Sequence, residues 1–176
     1  MKKNNQLLVS ALLAVASMTY PGESSAQGLS NKQFGSVRQE NLHWAPFAAF
    51  PAGAQMAIVV GDTKLPEPYV VRVKVPSGIK LMPHKHPEDR VYTVVSGTFY
   101  IGIGEKFNSA ELKAYGPGSV IVLPANTPHF HWAMSGEYVT QVAGRGPLGI
   151  SYINPLDDPR NQKKQNEKPA MKKIKA

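Results

Sequence analysis

The pattern that most restricts the fold of this chain is a series of short apolar runs, each closed off by Pro or Gly. Residues 69–75 are the clearest case. Tyr69, Val71, Val73 and Val75 fall on one face while Arg72 and Lys74 fall on the other, the period-two signature of a half-buried strand. Residues 56–60, 91–95, 98–103, 120–123, 130–134, 138–142 and 149–153 are similar in length and apolar character, and Ser96-Gly97 between two of them reads as a hairpin turn. At most one short helix is expected, near residues 109–113. Strands of this length and spacing predict an all-β sandwich or barrel.

The ends of the chain differ from its middle. The formal charge of +8 resembles a nucleic-acid footprint until it is located: residues 1–26 carry +1, residues 160–176 carry +6, and the rest carries +1. The middle is close to neutral, so nucleic acid is not an expected partner. Lys2 and Lys3 precede an apolar stretch over residues 7–18, and Ser24-Ser25-Ala26 supplies small residues ahead of a cut before Gln27. This is the pattern of an export signal, too short for the roughly 20 apolar residues of a membrane span. The expectation is a mature periplasmic or secreted protein, with one domain over residues 27–159 whose barrel core covers about 56–153. The segment 160–176 has too few apolar residues to bury a face and is expected to be a disordered basic tail.

The chain has no cysteine, which removes thiolate metal sites, cysteine nucleophiles and disulfides. Any metal must be held by nitrogen or oxygen. Four of the five histidines form two pairs, His84-Lys85-His86 and His129-Phe130-His131. Residues i and i+2 of a strand point to the same side, so each pair can present two imidazoles to one cavity. Neutral imidazole is a common ligand for first-row metals, and manganese, iron, zinc, nickel and copper are all acceptable to such a set. His43 has no partner and reads as an ordinary surface or core residue. Ser119 lacks the glycines of a nucleophile elbow, and Gly102-Ile103-Gly104 lacks the third glycine and helix of a dinucleotide site.

With these residues in place, the chain resembles the cupin superfamily. The first cupin motif, Gly, five residues, His-x-His, three or four residues, Glu, six residues, Gly, is matched by Gly78, His84, His86 and Gly97, with Arg90 in the Glu position. The second is matched by Gly118, Pro124 and His129, with Asn126 at its second Gly and Ala133 at its Asn. The resemblance extends over almost the whole mature chain and is closest to small exported cupins. It implies a double-stranded β-helix barrel, commonly dimeric, with one divalent transition metal held by His84, His86 and His129.

The departure at position 90 leaves the ligand set open. A guanidinium about 5 Å from a divalent ion costs roughly 6 to 7 kcal/mol at an effective dielectric near 20. Arg90 could swing to the mouth and leave a three-His site. His131 could serve as a fourth ligand, as pirin-type cupins place one two residues after the second-motif His. Glu88 is also near, although it reads more simply as a solvated turn carboxylate. Alternatively no metal binds, and Arg90 with the histidines forms a pocket for a small carboxylate or phosphate. Tyr92, which shares strand parity with Arg90, and Tyr100 are the remaining candidates for contact with a small-molecule ligand. An enzyme, a binding or sensing module and a bare barrel all remain open. Residues 56–60 are apolar at both parities, and Phe130, Trp132 and Met134 lie opposite the histidines. Such a surface needs cover, either a homodimer or the N-terminal arm with Phe34 and Trp44.

Overall fold

A computed structural model describes residues 28–161; the segment read as an export signal and most of the basic tail lie outside the described residues. Eleven strands follow in order: β1 Ala45–Pro46, β2 Gln55–Val60, β3 Pro68–Val75, β4 Lys80–Lys85, β5 Arg90–Ser96, β6 Phe99–Ile103, β7 Lys113–Tyr115, β8 Val120–Leu123, β9 His129–Trp132, β10 Tyr138–Arg145 and β11 Ser151–Tyr152. They form two antiparallel sheets, one ordered β1-β2-β3-β10-β5-β8 and the other β11-β4-β9-β6-β7. Consecutive strands repeatedly change sheet, which is the double-stranded β-helix arrangement expected.

The alternation of β3 does what its pattern predicts. Tyr69, Val71, Val73 and Val75 are all buried, and they meet Tyr92 and Val94 of β5, Tyr138 and Val142 of β10, and Leu81, Phe99 and Ile101 from the facing sheet. Because both inner faces contribute, the core lies between the sheets and its end is left for the histidines. The apolar run of β2 is absorbed by the chain itself. Met56 and Ile58 pack on the core, and Leu29 bridges Val60 from outside.

Three expectations are corrected. Ser96-Gly97 does not close a hairpin, because β5 already has β10 and β8 on its two edges and β6 must cross to the other sheet. Gly97 makes this crossing at φ +70, where a Cβ would lie 2.1 Å from the Glu137 carbonyl oxygen. The helical reading near residues 109–113 reduces to one 3-10 turn, Ser109–Glu111, capped by the Asn108 side chain and followed by β7. Phe130 needs neither a partner chain nor the N-terminal arm. Its ring lies over the backbone of Gly102, where a Cβ would be only 2.4 Å away, and against Phe107, with Lys80 reaching over Phe107 and Trp132. Phe34 is fully exposed, and Trp44 instead faces Lys74. The described residues also extend past Pro159: Arg160 pairs with Asp158 and donates to the Ile150 carbonyl.

The two glycines Gly78 and Gly97 share a positive φ but differ in space, since nothing approaches within 4 Å of a Cβ at Gly78. Gly78→Ala is expected to cost about 1 kcal/mol, the conformational term alone, and Gly97→Ala at least about twice that. Urea unfolding of both variants checks the difference; equal losses would mean that the crossing can relax.

Candidate metal centre

The histidines converge because β4 is locally irregular where it pairs β9. Leu81 is paired with His131 and His84 with His129, so Met82 and Pro83 together stand opposite Phe130. This bulge lets Leu81 and His84 both face inward although they are three residues apart. His86 follows on the same side, and Ile101 pairs with His131 from β6. The turn before β9 is built to match. Asn126, the residue in the glycine position of the second motif, is the one non-Gly residue at positive φ among the described residues, and its N–H donates to the His86 carbonyl at 2.7 Å. Asn tolerates that conformation better than other L residues.

All four rings are buried. His84, His86 and His129 each offer a ring nitrogen, and the three nitrogens lie within 4.8 Å of one another. Their other nitrogens are fixed by backbone carbonyls: His84 Nδ1 by Met82 at 2.7 Å, His86 Nδ1 by Gly149 at 2.7 Å and His129 Nδ1 by Thr127 at 2.9 Å. A carbonyl can only accept, so each Nδ1 carries the proton and each Nε2 presents a lone pair. This is the outer-shell arrangement that orients metal-bound imidazoles. One unmet atom would suit an ion there: His129 Nε2 is buried with no hydrogen-bond partner. Leaving such an acceptor unmet costs about 1 to 3 kcal/mol, and an ion at the centre of the three would satisfy it.

His131, expected as a fourth ligand, is two residues farther along β9, between Leu81 and Ile101. Its ring packs edge-on against Phe99 at 4.8 Å and against His84 at 5.3 Å, and its Nε2 is also unpartnered. It lines the cavity with Tyr92 and Tyr138 but is not one of the three converging nitrogens. Tyr92 lines the cavity, its hydroxyl donating to His86 Nε2 at 3.4 Å. Tyr100 lies elsewhere: it is paired with Trp132 and Ala114 on the outer face of its sheet, the parity opposite to Phe99 and Ile101.

Arg90 and Glu88 differ from the reading given by sequence. Arg90 is 5% exposed, lines the cavity, and has not swung to solvent. Its Nε donates to Glu88 Oε1 at 2.9 Å, its Nη2 bonds the same oxygen, and Nη2 also donates to the Gly149 carbonyl at 3.0 Å. The Glu88 side chain is 9% exposed rather than solvated. It accepts further from Tyr69 Oη at 2.8 Å and from the Gly149 N–H at 3.3 Å. Strand parity could not have found this pair, because Glu88 lies in the bend before β5 and only Arg90 begins the strand.

Burial holds all four imidazoles below their ordinary range. For His129 the value falls to about 4, with the Arg90 charge adding to desolvation and the Thr127 hydrogen bond opposing it. His84, His86 and His131 are lowered by burial first and then by neighbouring imidazoles and Arg90. The rings are therefore neutral at pH 7, as ligands must be. Burial likewise raises the Tyr92 phenol, so it keeps its proton.

The unfolded chain takes up protons near pH 6.5 that the native cluster refuses, so native stability is expected to fall as pH drops from 7 towards 4. Each histidine contributes a slope of about 1.4 kcal/mol per pH unit within its window. Urea unfolding in chelator between pH 7 and 5, above the carboxylate range, checks this, and a flat profile would contradict it.

No protein-family model and no curated protein sequence matches the chain. Solved structures do match. The polyketide cyclase RemF from Streptomyces resistomycificus superposes with TM-score 0.61 at 14% identity, covering 75% of this chain and 94% of that one. A sugar phosphate isomerase from a cupin superfamily of Silicibacter pomeroyi gives 0.52 at 14% identity, covering 67% and 81%. The DMSP lyase DddQ from Ruegeria pomeroyi gives 0.51 at 17% identity, covering 62% and 60%. These identities establish architecture and leave chemistry to the site. Together with the two sheets, they show that this chain has a cupin-like double-stranded β-helix fold.

Proposed function

We propose that this chain is an exported cupin enzyme that holds one divalent transition-metal ion on His84, His86 and His129 and acts on a small molecule. The observation that carries the reading is the gathering of three ring nitrogens within 4.8 Å, each ring oriented by a backbone carbonyl at its Nδ1. The rival reading, a metal-free pocket in which Arg90 grips an anion, has less support, because the guanidinium is already engaged by Glu88 and Gly149. When bound, an ion with open positions would supply Lewis-acid or oxygen-activating chemistry.

The chain's own residues define the rest. Tyr92 Oη, kept protonated by burial, is a hydrogen-bond donor beside His86. The cavity they line measures ≈ 20 Å³ and is walled by Val73, Leu81 and Val142, so it excludes bulk water and has room for about one water-sized group. A substrate would thus insert its reacting group and leave its bulk nearer the mouth. The structural neighbours described as a cyclase, a lyase and an isomerase act on different small molecules, which supports an enzyme without selecting the reaction.

Export rests on the N-terminal pattern of Lys2, Lys3 and the apolar residues 7–18. No helix among the described residues is long and apolar enough to cross a membrane. A homodimer is supported by β8, an edge strand of the six-stranded sheet. Its Val120 and Val122 are 61% and 70% exposed, and Val91 of β5, paired with Val122, extends the same apolar face.

One preparation tests these points. Protein purified without an affinity tag from exporting cells is expected to begin at Gln27 by intact mass, to carry about one divalent ion per chain by elemental analysis, and to scatter light as a dimer. His84→Ala should lower metal content at least tenfold. A metal-free protein that also refuses added metal would overturn the metalloenzyme reading, and an uncut chain or a monomer would overturn export or assembly.

A further inference from the structure

The three histidines are neutral, so they offer a divalent ion no compensating charge. Among the described residues, the one formal charge lining the cavity beside His84 and His86 is the cation Arg90, and no acidic side chain lines it. On charge alone the ion and the guanidinium should exclude one another in a buried site. The structure supplies a remedy outside the ring of ligands. Glu88, itself buried, takes both Nε and Nη2 of Arg90. It is held there by Tyr69 Oη and the Gly149 N–H, while the Gly149 carbonyl accepts from both Arg90 and His86 Nδ1.

We infer that Glu88 is the counter-charge of this centre: it cancels Arg90 and so permits a divalent ion to occupy the three-His site beside a buried guanidinium. The inference rests on the metal reading above and gives Glu88 a positioning role, with no bond to the ion. Glu88 acts through charge. Its bonds to Tyr69 and Gly149 fix where that charge sits.

The test is calorimetric titration of zinc and of manganese into the metal-free mature chain and its variants, each checked for folding by circular dichroism. Glu88→Gln leaves Arg90 uncompensated and should weaken binding at least tenfold. Arg90→Met leaves Glu88 uncompensated and should strengthen it. The pair Glu88→Gln with Arg90→Met is neutral again and should return to within about threefold of wild type, as should Arg90→Lys, which keeps the charge and alters the fork. Binding by Glu88→Gln equal to wild type overturns the inference. So does a double variant as weak as Glu88→Gln alone, because Glu88 would then act by shaping the Gly149 segment. Should Arg90→Met fail to fold, the comparison of Glu88→Gln with the double variant still decides. A wild-type chain that takes up neither metal overturns the metal reading itself, whereas binding by wild type with no effect of Glu88→Gln overturns this inference alone.

Discussion

Three carbonyl-to-imidazole hydrogen bonds set the character of the site. Met82, Gly149 and Thr127 each accept a hydrogen bond from a histidine Nδ1–H, and from that single choice follow the tautomer, the ring orientation and the direction of every Nε2 lone pair. Two of these carbonyls are local, two residues before the ring they hold. The third comes from a segment sixty-three residues away, so His86 is oriented correctly only when the β10–β11 connection has docked. The site and the closure of the barrel are therefore formed together.

The Gly149 peptide is where that closure is recorded. Its carbonyl serves His86 and Arg90, and its N–H serves Glu88. Pro87 fits closely beneath it, leaving under 3 Å to any Cβ at residue 149. Arg90 and Glu88 are consequently not a surface pair of small effect. Both are removed from water, and removing either partner of such a pair strands a buried charge, which typically costs about 3 to 5 kcal/mol. Burial that would make Arg90 an obstacle in isolation makes it a neutral neighbour in company. The same desolvation keeps the histidines neutral and the Tyr92 phenol protonated, so one physical cause prepares imidazole lone pairs and a hydrogen-bond donor side by side.

The sequence by itself determined the fold class and which histidines gather inside the barrel. Alternation in Tyr69, Val71, Val73 and Val75 needs only the period of a strand, and the pairs His84/His86 and His129/His131 need only the same rule, so these features were readable without knowing any partner strand. Strand pairing decided the rest. Whether Ser96-Gly97 makes a hairpin depends on whether β5 has a free edge, and it has none. Tyr100 was placed near the site by sequence, but its register with Trp132 turns it outward. Phe130 was predicted to need an external cover that Phe107 and Gly102 provide from within. Glu88 illustrates the limit most clearly. A carboxylate after a proline is solvated unless something distant encloses it, and here Tyr69 and Gly149, nineteen and sixty-one residues away, do so. Periodicity is a property of a chain, whereas burial and hydrogen bonding are properties of pairs of segments, and only the assembled barrel brings those segments together.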